Sequence, residues 1–225
     1  MSAIFDPRDE QALVQQFFDG LTGIFVDVGA NDPVLNSQTY RLERVGWTGI
    51  LIEPIPECAA RLRAERTAKV FEGAGGPWEH VMNLHVDGVY SSLLGAKVAA
   101  PVRTIQVRVR RLDDIIKDAG FDHVDFVSID VEGFELDVLR GFALEHWRPK
   151  LLLVEDHVGT LSLHRHLADR GYKLVRRTGV NAWYVPRESR FPLNLRGRWQ
   201  LFRKYILGLP FRQLRNLLRA HRRRW

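Results

Sequence analysis

IFVDVGAN, residues 24–31, sets the reading of the chain. Its first five residues are a short β-branched and aromatic run, and Gly29 follows at once, so the stretch reads as a buried strand feeding a tight turn. Outward from it, similar Val- and Ile-rich runs alternate with longer polar segments of helical period. That is the pattern of a mostly parallel sheet covered by helices on both faces, an α/β fold. Strands are expected at 24–28, 49–52, 69–72, 125–129, 150–154, 172–176 and 182–185. Helices are expected at 38–45, 56–66, 112–119, 134–142 and 161–170. Residues 81–110 differ, because Thr104, Gln106, Arg108 and Arg110 alternate with Ile105, Val107 and Val109, and Asp87-Gly88 is a turn signal. A small antiparallel insertion is expected there.

The chain has 225 residues, 45% hydrophobic and 27% charged, which suits one core and excludes a disordered or fibrous protein. Its net charge of +6 is unevenly spread. Residues 187–225 hold 12 basic residues against one acid, Glu188, leaving 21 basic and 26 acidic residues, a net of −5, in residues 1–186. The basic balance therefore belongs to a tail and says nothing about the fold. We divide the chain into a main domain, 1–189, and a basic amphipathic tail, 190–225. A single cysteine, Cys58, excludes an internal disulfide and a Cys-based metal framework. The first 20 residues carry acids where a secretion signal carries positive charge and an apolar run, and no stretch is long enough to span a membrane, so cytoplasm is the expected location.

In open α/β sheets ligands bind beyond the carboxyl ends of the strands. Asp27, which offers an acceptor for an ammonium group, leads into Gly29, Ala30 and Asn31, small residues that let the backbone approach a ligand. Glu53 ends the second strand 24 residues beyond Gly29, about where dinucleotide-type folds place the acid that holds the ribose hydroxyls. An adenosine ligand is implied. NAD requires G-x-G-x-x-G, whereas this turn reads G-A-N-D-P-V, so S-adenosylmethionine, which has no phosphate, is the favoured cofactor.

The strand end at 128–135, SIDVEGFE, sets Asp130, Glu132 and Glu135 beside an apolar run. Such an arrangement is costly unless the acids bind something or face water, although an acidic helix start is an alternative for Glu132 and Glu135. The neighbouring strand ends in Glu155-Asp156-His157, which would converge on the same crevice. His157 is the best general-base candidate, since an ordinary imidazole titrates near pH 6.5. Asp130, Glu132 and Glu155 complete the catalytic set. His164 and His166 read as surface residues, and no metal is assigned; a divalent ion on Asp130, Glu155 and Asp156 is the alternative.

With these residues in place, the chain resembles the FkbM-type S-adenosylmethionine-dependent methyltransferases over about residues 20–186. The resemblance rests on FVDVGAND (25–32), SQTYRLE (37–43), GWTGILIEPIPE (46–57), YSSL (90–93), VRRLDDII (109–116), DFVSIDVEGFELDVLRGF (125–142) and LLLVEDH (151–157). It implies a Rossmann-like class I methyltransferase sheet, with Asp130, Glu132 and Glu135 at the active-site crevice. The cofactor residues assigned with it are Asp27, Gly29, Ala30, Asn31, Ser37, Glu53, Pro54, Ala74, Ser92 and Asp130. Many members O-methylate sugars or polyketide-type products, so a hydroxyl of a sugar, glycolipid or polysaccharide precursor is the implied acceptor, by direct SN2 transfer. Many also carry a glycine where Pro33 stands. Proline fixes φ and removes a donor, so no cofactor contact is assigned to Asp32 or Pro33.

In the tail, Trp199, Phe202 and Ile206 continue past an expected break at Gly208–Pro210 into Phe211, Leu214, Leu218 and Trp225 as one apolar stripe among arginines. That pattern suits an amphipathic helix lying on an anionic membrane, making the protein peripheral on the inner face. Packing on its own domain or on a second subunit of a homo-oligomer is the alternative, and nucleic acid is disfavoured as a partner. The rival functions are a nucleic-acid methyltransferase and a non-catalytic adenosine-binding module. Against the first, the strand end that would carry a base-amine motif reads D-V-E-G, and an acidic domain repels phosphates.

Overall fold

The computed structural model describes residues 9–86, 103–157, 160–191 and 195–208, together with Pro210, Phe211 and Leu214. The Asp87-Gly88 turn and the YSSL segment, with Ser92, lie outside the described residues. The first half of the chain forms α1 (Glu10–Phe18), β1 (Ile24–Val28), α2 (Tyr40–Arg44), β2 (Thr48–Glu53), α3 (Pro56–Glu65) and β3 (Lys69–Glu72). Then come β4 (Ala74–Gly75), β5 (His80–Val86), β6 (Arg103–Arg110), α4 (Leu112–Asp118), β7 (Phe126–Ile129), α5 (Glu135–Arg140) and α6 (Leu144–Trp147). The remainder is β8 (Leu151–Glu155), α7 (Ser162–Asp169), β9 (Tyr172–Thr178), β10 (Asn181–Pro186), α8 (Leu195–Phe202) and a π-helical turn over Arg203–Leu207.

Seven strands form one sheet in the order β3-β2-β1-β7-β8-β10-β9. Neighbours are parallel except around β10, which runs antiparallel to both β8 and β9. The order reverses between β1 and β7, which opens a crevice at their carboxyl ends. The expected insertion is present as a second sheet, β4-β6-β5, in which β5 and β6 pair antiparallel.

Both faces of the large sheet are buried, which is why its strands are continuous apolar runs rather than alternating ones. Val26 and Val28 of β1 pack on the side of Leu112, Ile116, Val138 and Leu139 from α4 and α5. Phe25 faces the other way, toward Leu13, Val14 and Phe18 of α1, Leu42 of α2 and Leu62 of α3. Helix α1 was not expected from sequence. Its start is fixed by Asp9, whose Oδ1 accepts from the Ala12 N–H at 3.1 Å. The expected helix 134–142 is the shorter α5, and α6, which follows it, was not expected; between them, a Cβ on Gly141 would stand 1.9 Å from the Gly76 carbonyl oxygen.

Two expectations need correction. His164 and His166 are half-buried on α7, not surface residues, and burial pushes both imidazoles below their ordinary titration range. In the tail, Gly208, Pro210 and Phe211 are helical, with Leu209 outside the described residues. The irregularity comes earlier, in the π-helical turn that carries the buried Tyr205. Among the described residues no helix is long and apolar enough to cross a membrane.

Candidate functional site

Gly29 brings the ends of β1 and β7 together. It adopts φ +85°, and a Cβ on it would stand 1.9 Å from the Asp130 carbonyl oxygen, so no other residue fits between these two backbones. The Gly29 and Ala30 N–H groups donate to the Ile52 carbonyl at 2.9 and 3.2 Å, and the Asp130 N–H donates to Val28 at 2.9 Å. Three strand ends thus close around one cleft of about 290 Å³. Asn31 and Glu132, on opposite sides of it, both hold left-handed backbone, at φ 47° and 53°. That conformation costs an L-residue about 1–2 kcal/mol, a cost characteristic of functional loops.

On the β1–β2 side the key group is Glu53, buried with only 3% of its surface exposed. Its two carboxylate oxygens accept separately, Oε2 from the Asn31 N–H at 2.8 Å and Oε1 from the Ile55 N–H at 2.9 Å. Burial raises its pKa, the two N–H donors oppose that, and the charge of Asp27 adds to it. The orientation is fixed by backbone, and each oxygen keeps a further lone pair for a ligand hydroxyl.

Asp27 is equally buried but does not line the cleft. It accepts from Thr39 Oγ1 at 2.7 Å, and Arg66 donates to Thr39 at 3.1 Å, to Ser37 Oγ at 3.2 Å and to the Pro33 carbonyl at 3.0 Å. Arg66 also pairs with Glu43 at 2.8 Å. This buried arginine ties α2, the Pro33 loop and the end of β1 into one unit behind the cleft, and Ser37 belongs to it. Asp32 caps its own turn by accepting from Val34 and Leu35 N–H at 2.9 and 2.8 Å and pairs with Arg61. Cys58 is a free thiol that donates to Asn31 Oδ1 at 3.6 Å.

The β7–β8 side is built differently. Asp130 is open to the cleft yet hemmed in by protein, and its pKa is raised to about 6. Desolvation is the main cause, followed by the charges of Glu132, Glu135 and Asp27, while a hydrogen bond with Glu155 works against them. Glu135 accepts from the Gly133 N–H at 2.6 Å, which fixes the turn. His157 is exposed and places Nε2 3.0 Å from Glu155 Oε1. Glu132, Glu155 and His157 bring one ligand atom each within 4.8 Å of one another, a spacing that could hold a divalent ion. The alternative metal set fails in one member, because Asp156 points away to Tyr205, at 2.5 Å, and to Arg177.

Of the sequence-assigned cofactor residues, Gly29, Ala30, Asn31, Glu53, Pro54, Ala74 and Asp130 line the cleft. Asp27 and Ser37 stand behind it, and Ser92 is outside the described residues. Among the catalytic candidates, Asp130 and Glu132 line it, and Glu155 and His157 adjoin them. Sequence reasoning missed Leu35, Asn36, Ile55, Gly73, Gly75, Leu84 and Phe134, which also line it. The run Gly73-Ala74-Gly75-Gly76 was the available signal for close backbone approach. Leu84 had none, since only the folding of the insertion over the cleft brings it there.

A family model described as Methyltransferase FkbM domain matches residues 27–174. Methyltransferase 1 of Beauveria bassiana (strain ARSEF 2860) is 42% identical over 53 residues, 23% of this chain and 21% of that protein. Methyltransferase sdnD of Sordaria araneosa is 37% identical over 51 residues, 19% of this chain and 20% of that protein. The chain thus covers about a fifth of each of these curated relatives. The crystal structure of methyltransferase FkbM from Methylobacillus flagellatus KT superposes with a TM-score of 0.50 at 20% identity, covering 73% of this chain and 44% of that one. That likeness is one of fold.

Proposed function

This chain belongs to the FkbM methyltransferase family, and on that premise we propose that it transfers a methyl group from S-adenosylmethionine to a hydroxyl of a sugar, glycolipid or polysaccharide precursor. The observation that carries the reading is Glu53, buried at the cleft wall with each carboxylate oxygen clamped by a backbone N–H. A fixed bidentate acceptor suits the paired hydroxyls of a ribose. The residues fit the rest of the cofactor as well. Gly29, with no room for a Cβ, gives a flat floor, and Pro54 and Ala74 add apolar wall for an adenine. Glu53, Asp130 and Glu132 make the cleft anionic, which favours a ligand carrying an ammonium and a sulfonium and opposes one carrying a pyrophosphate. When bound, S-adenosylmethionine supplies an electrophilic methyl carbon on a positively charged sulfur.

The chain's own task is to orient the acceptor, exclude water and take up one proton. Glu155, buried at the end of β8, accepts the Nε2–H of His157 and so leaves the lone pair of the neutral imidazole on Nδ1. His157 Nδ1 takes the acceptor's hydroxyl proton as the new oxygen–carbon bond forms. The imidazolium is then stabilised by Glu155, as a buried carboxylate stabilises a general-base histidine elsewhere. Asp130 and Glu132 hold neighbouring hydroxyls of the acceptor.

The test is to incubate the whole chain with methyl-labelled S-adenosylmethionine and either glycolipid and polysaccharide-precursor extracts or RNA and DNA. Label in the saccharide fraction, heavier by one methylene, is expected. Label confined to nucleic acid, or cofactor binding with no transfer to any fraction, would replace this reading by one of its rivals.

A further inference from the structure

We propose that the face of the C-terminal segment carrying Trp199, Phe202, Ile206, Phe211 and Leu214 docks on the surface of an anionic phospholipid bilayer and holds the transfer site at that surface. Docking stands on its own observations, and only its bearing on the acceptor rests on the methyltransferase reading above.

Three observations carry it. The five side chains are large, apolar and between 45% and 75% exposed, and Trp199 stacks on Phe202 at 5.8 Å between ring centres; Phe202 and Ile206 also rim a groove toward α7 and β9, and the rest of their surface is open to solvent. The same stretch of chain, residues 187–225, carries 12 basic residues and a single acid. Near an anionic surface each Lys or Arg raises the binding constant roughly fivefold. Charge also chooses among occupants. Burying this face against a second copy would set one +11 segment on another, and a nucleic acid would meet aliphatic and aromatic side chains where phosphates want donors.

The third observation is how the segment is fastened. Tyr205 turns inward, 6% exposed, and its hydroxyl donates to Asp156 Oδ2 at 2.5 Å and accepts from Arg177 at 2.9 Å. Arg177 also donates to the Asp156 carbonyl at 2.6 Å and the Val180 carbonyl at 2.9 Å. Asp156 lies directly between Glu155 and His157, so the membrane-facing segment is pinned to the strand end that carries the proposed base. An acceptor hydroxyl on a lipid-carried saccharide would be presented there without leaving the bilayer surface, on its cytoplasmic face.

The experiment is co-sedimentation of the whole chain, without cofactor, with vesicles of phosphatidylcholine alone and of equal parts phosphatidylcholine and phosphatidylglycerol. Binding to the mixed vesicles, strongly reduced by salt, is expected, with little to the neutral ones. The double variant Trp199→Ser, Phe211→Ser should lose about tenfold or more in partitioning. Its melting temperature and its affinity for S-adenosylhomocysteine should be unchanged, since both side chains are exposed and neither lines the cleft. No binding to mixed vesicles, equal binding to neutral ones, or binding indifferent to the double substitution would overturn docking. So would a lipid-free dimer that the substitution dissociates. None of these outcomes bears on cofactor binding, so failure here and failure of the methyltransferase reading remain distinct.

Discussion

The two walls of the cleft are secured by opposite means. On the β1–β2 side the buried charged groups Glu53, Asp27 and Arg66 are each committed to partners. Glu53 is held by two backbone donors, and Asp27 accepts from Thr39, which Arg66 holds in place together with Ser37 and Glu43. On the β7–β8 side Asp130, Glu132, Glu135 and Glu155 crowd one another, one of them titrates near 6, and the histidine is exposed. The first wall is built to present one geometry. The second is built to respond to what enters, since acids that repel one another gain when a cation or a hydroxyl-rich ligand comes between them.

Substitutions should separate the two walls. The largest effect is expected from Gly29→Ala, which forces the backbones of β1 and β7 apart from a 1.9 Å clash at positive φ. A loss of more than about 4 kcal/mol in denaturant unfolding, with no measurable cofactor binding, is expected. Arg66→Met strips the buried network of its cation while keeping its volume, and should cost about 3–5 kcal/mol because Glu43 and Asp27 stay buried without it. His157→Ala tests the other wall. Turnover should fall by about 10²–10⁴ in single-turnover assays while calorimetry finds cofactor affinity near normal. A loss of cofactor binding instead would move His157 out of its role as base.

Asp130→Asn should have the smallest effect and the most informative sign. Burial and acidic neighbours raise Asp130 to about 6 in the folded chain, above its value in the unfolded one, so the fold binds that proton more tightly. The stabilisation is complete below the unfolded value and is lost as pH rises through about 6. The amide variant should therefore melt about 2–4 °C higher than the parent above about pH 7, the gap closing toward about pH 4. Melting curves that stay parallel across that range would show that Asp130 is not under this repulsion.

The difference between the walls also explains what was legible in the sequence. Strand β1 and its Gly29 turn, the later strands and the acids at their ends are local patterns, in which apolar runs stop at small or charged residues. They appear in the structure within a residue or two of the expected bounds, and together they fix the sheet and most of the cleft. The network behind Glu53 was not legible, because Arg66 looks like an ordinary cation at a helix end. Its role depends on Thr39, Ser37 and Pro33 arriving from a loop about 30 residues earlier. For the same reason the sequence turns Asp27 toward a ligand, whereas in the structure it accepts from Thr39. Asp156 looked equivalent to its neighbours Glu155 and His157 until Tyr205, 49 residues on, claimed it. The half-burial of His164 likewise arises partly from the tail, since its ring lies 5.7 Å from that of Tyr205.

Everything in the functional account turns on an adenosine ligand gripped by Glu53. Calorimetric titration of the whole chain and of Glu53→Gln with S-adenosylmethionine at about pH 7 tests this most directly. The account predicts one site per chain, weakened about tenfold or more by a substitution that turns one of two ionised acceptor oxygens into a donor. Absence of binding to the parent chain, or equal affinity in both, would contradict it.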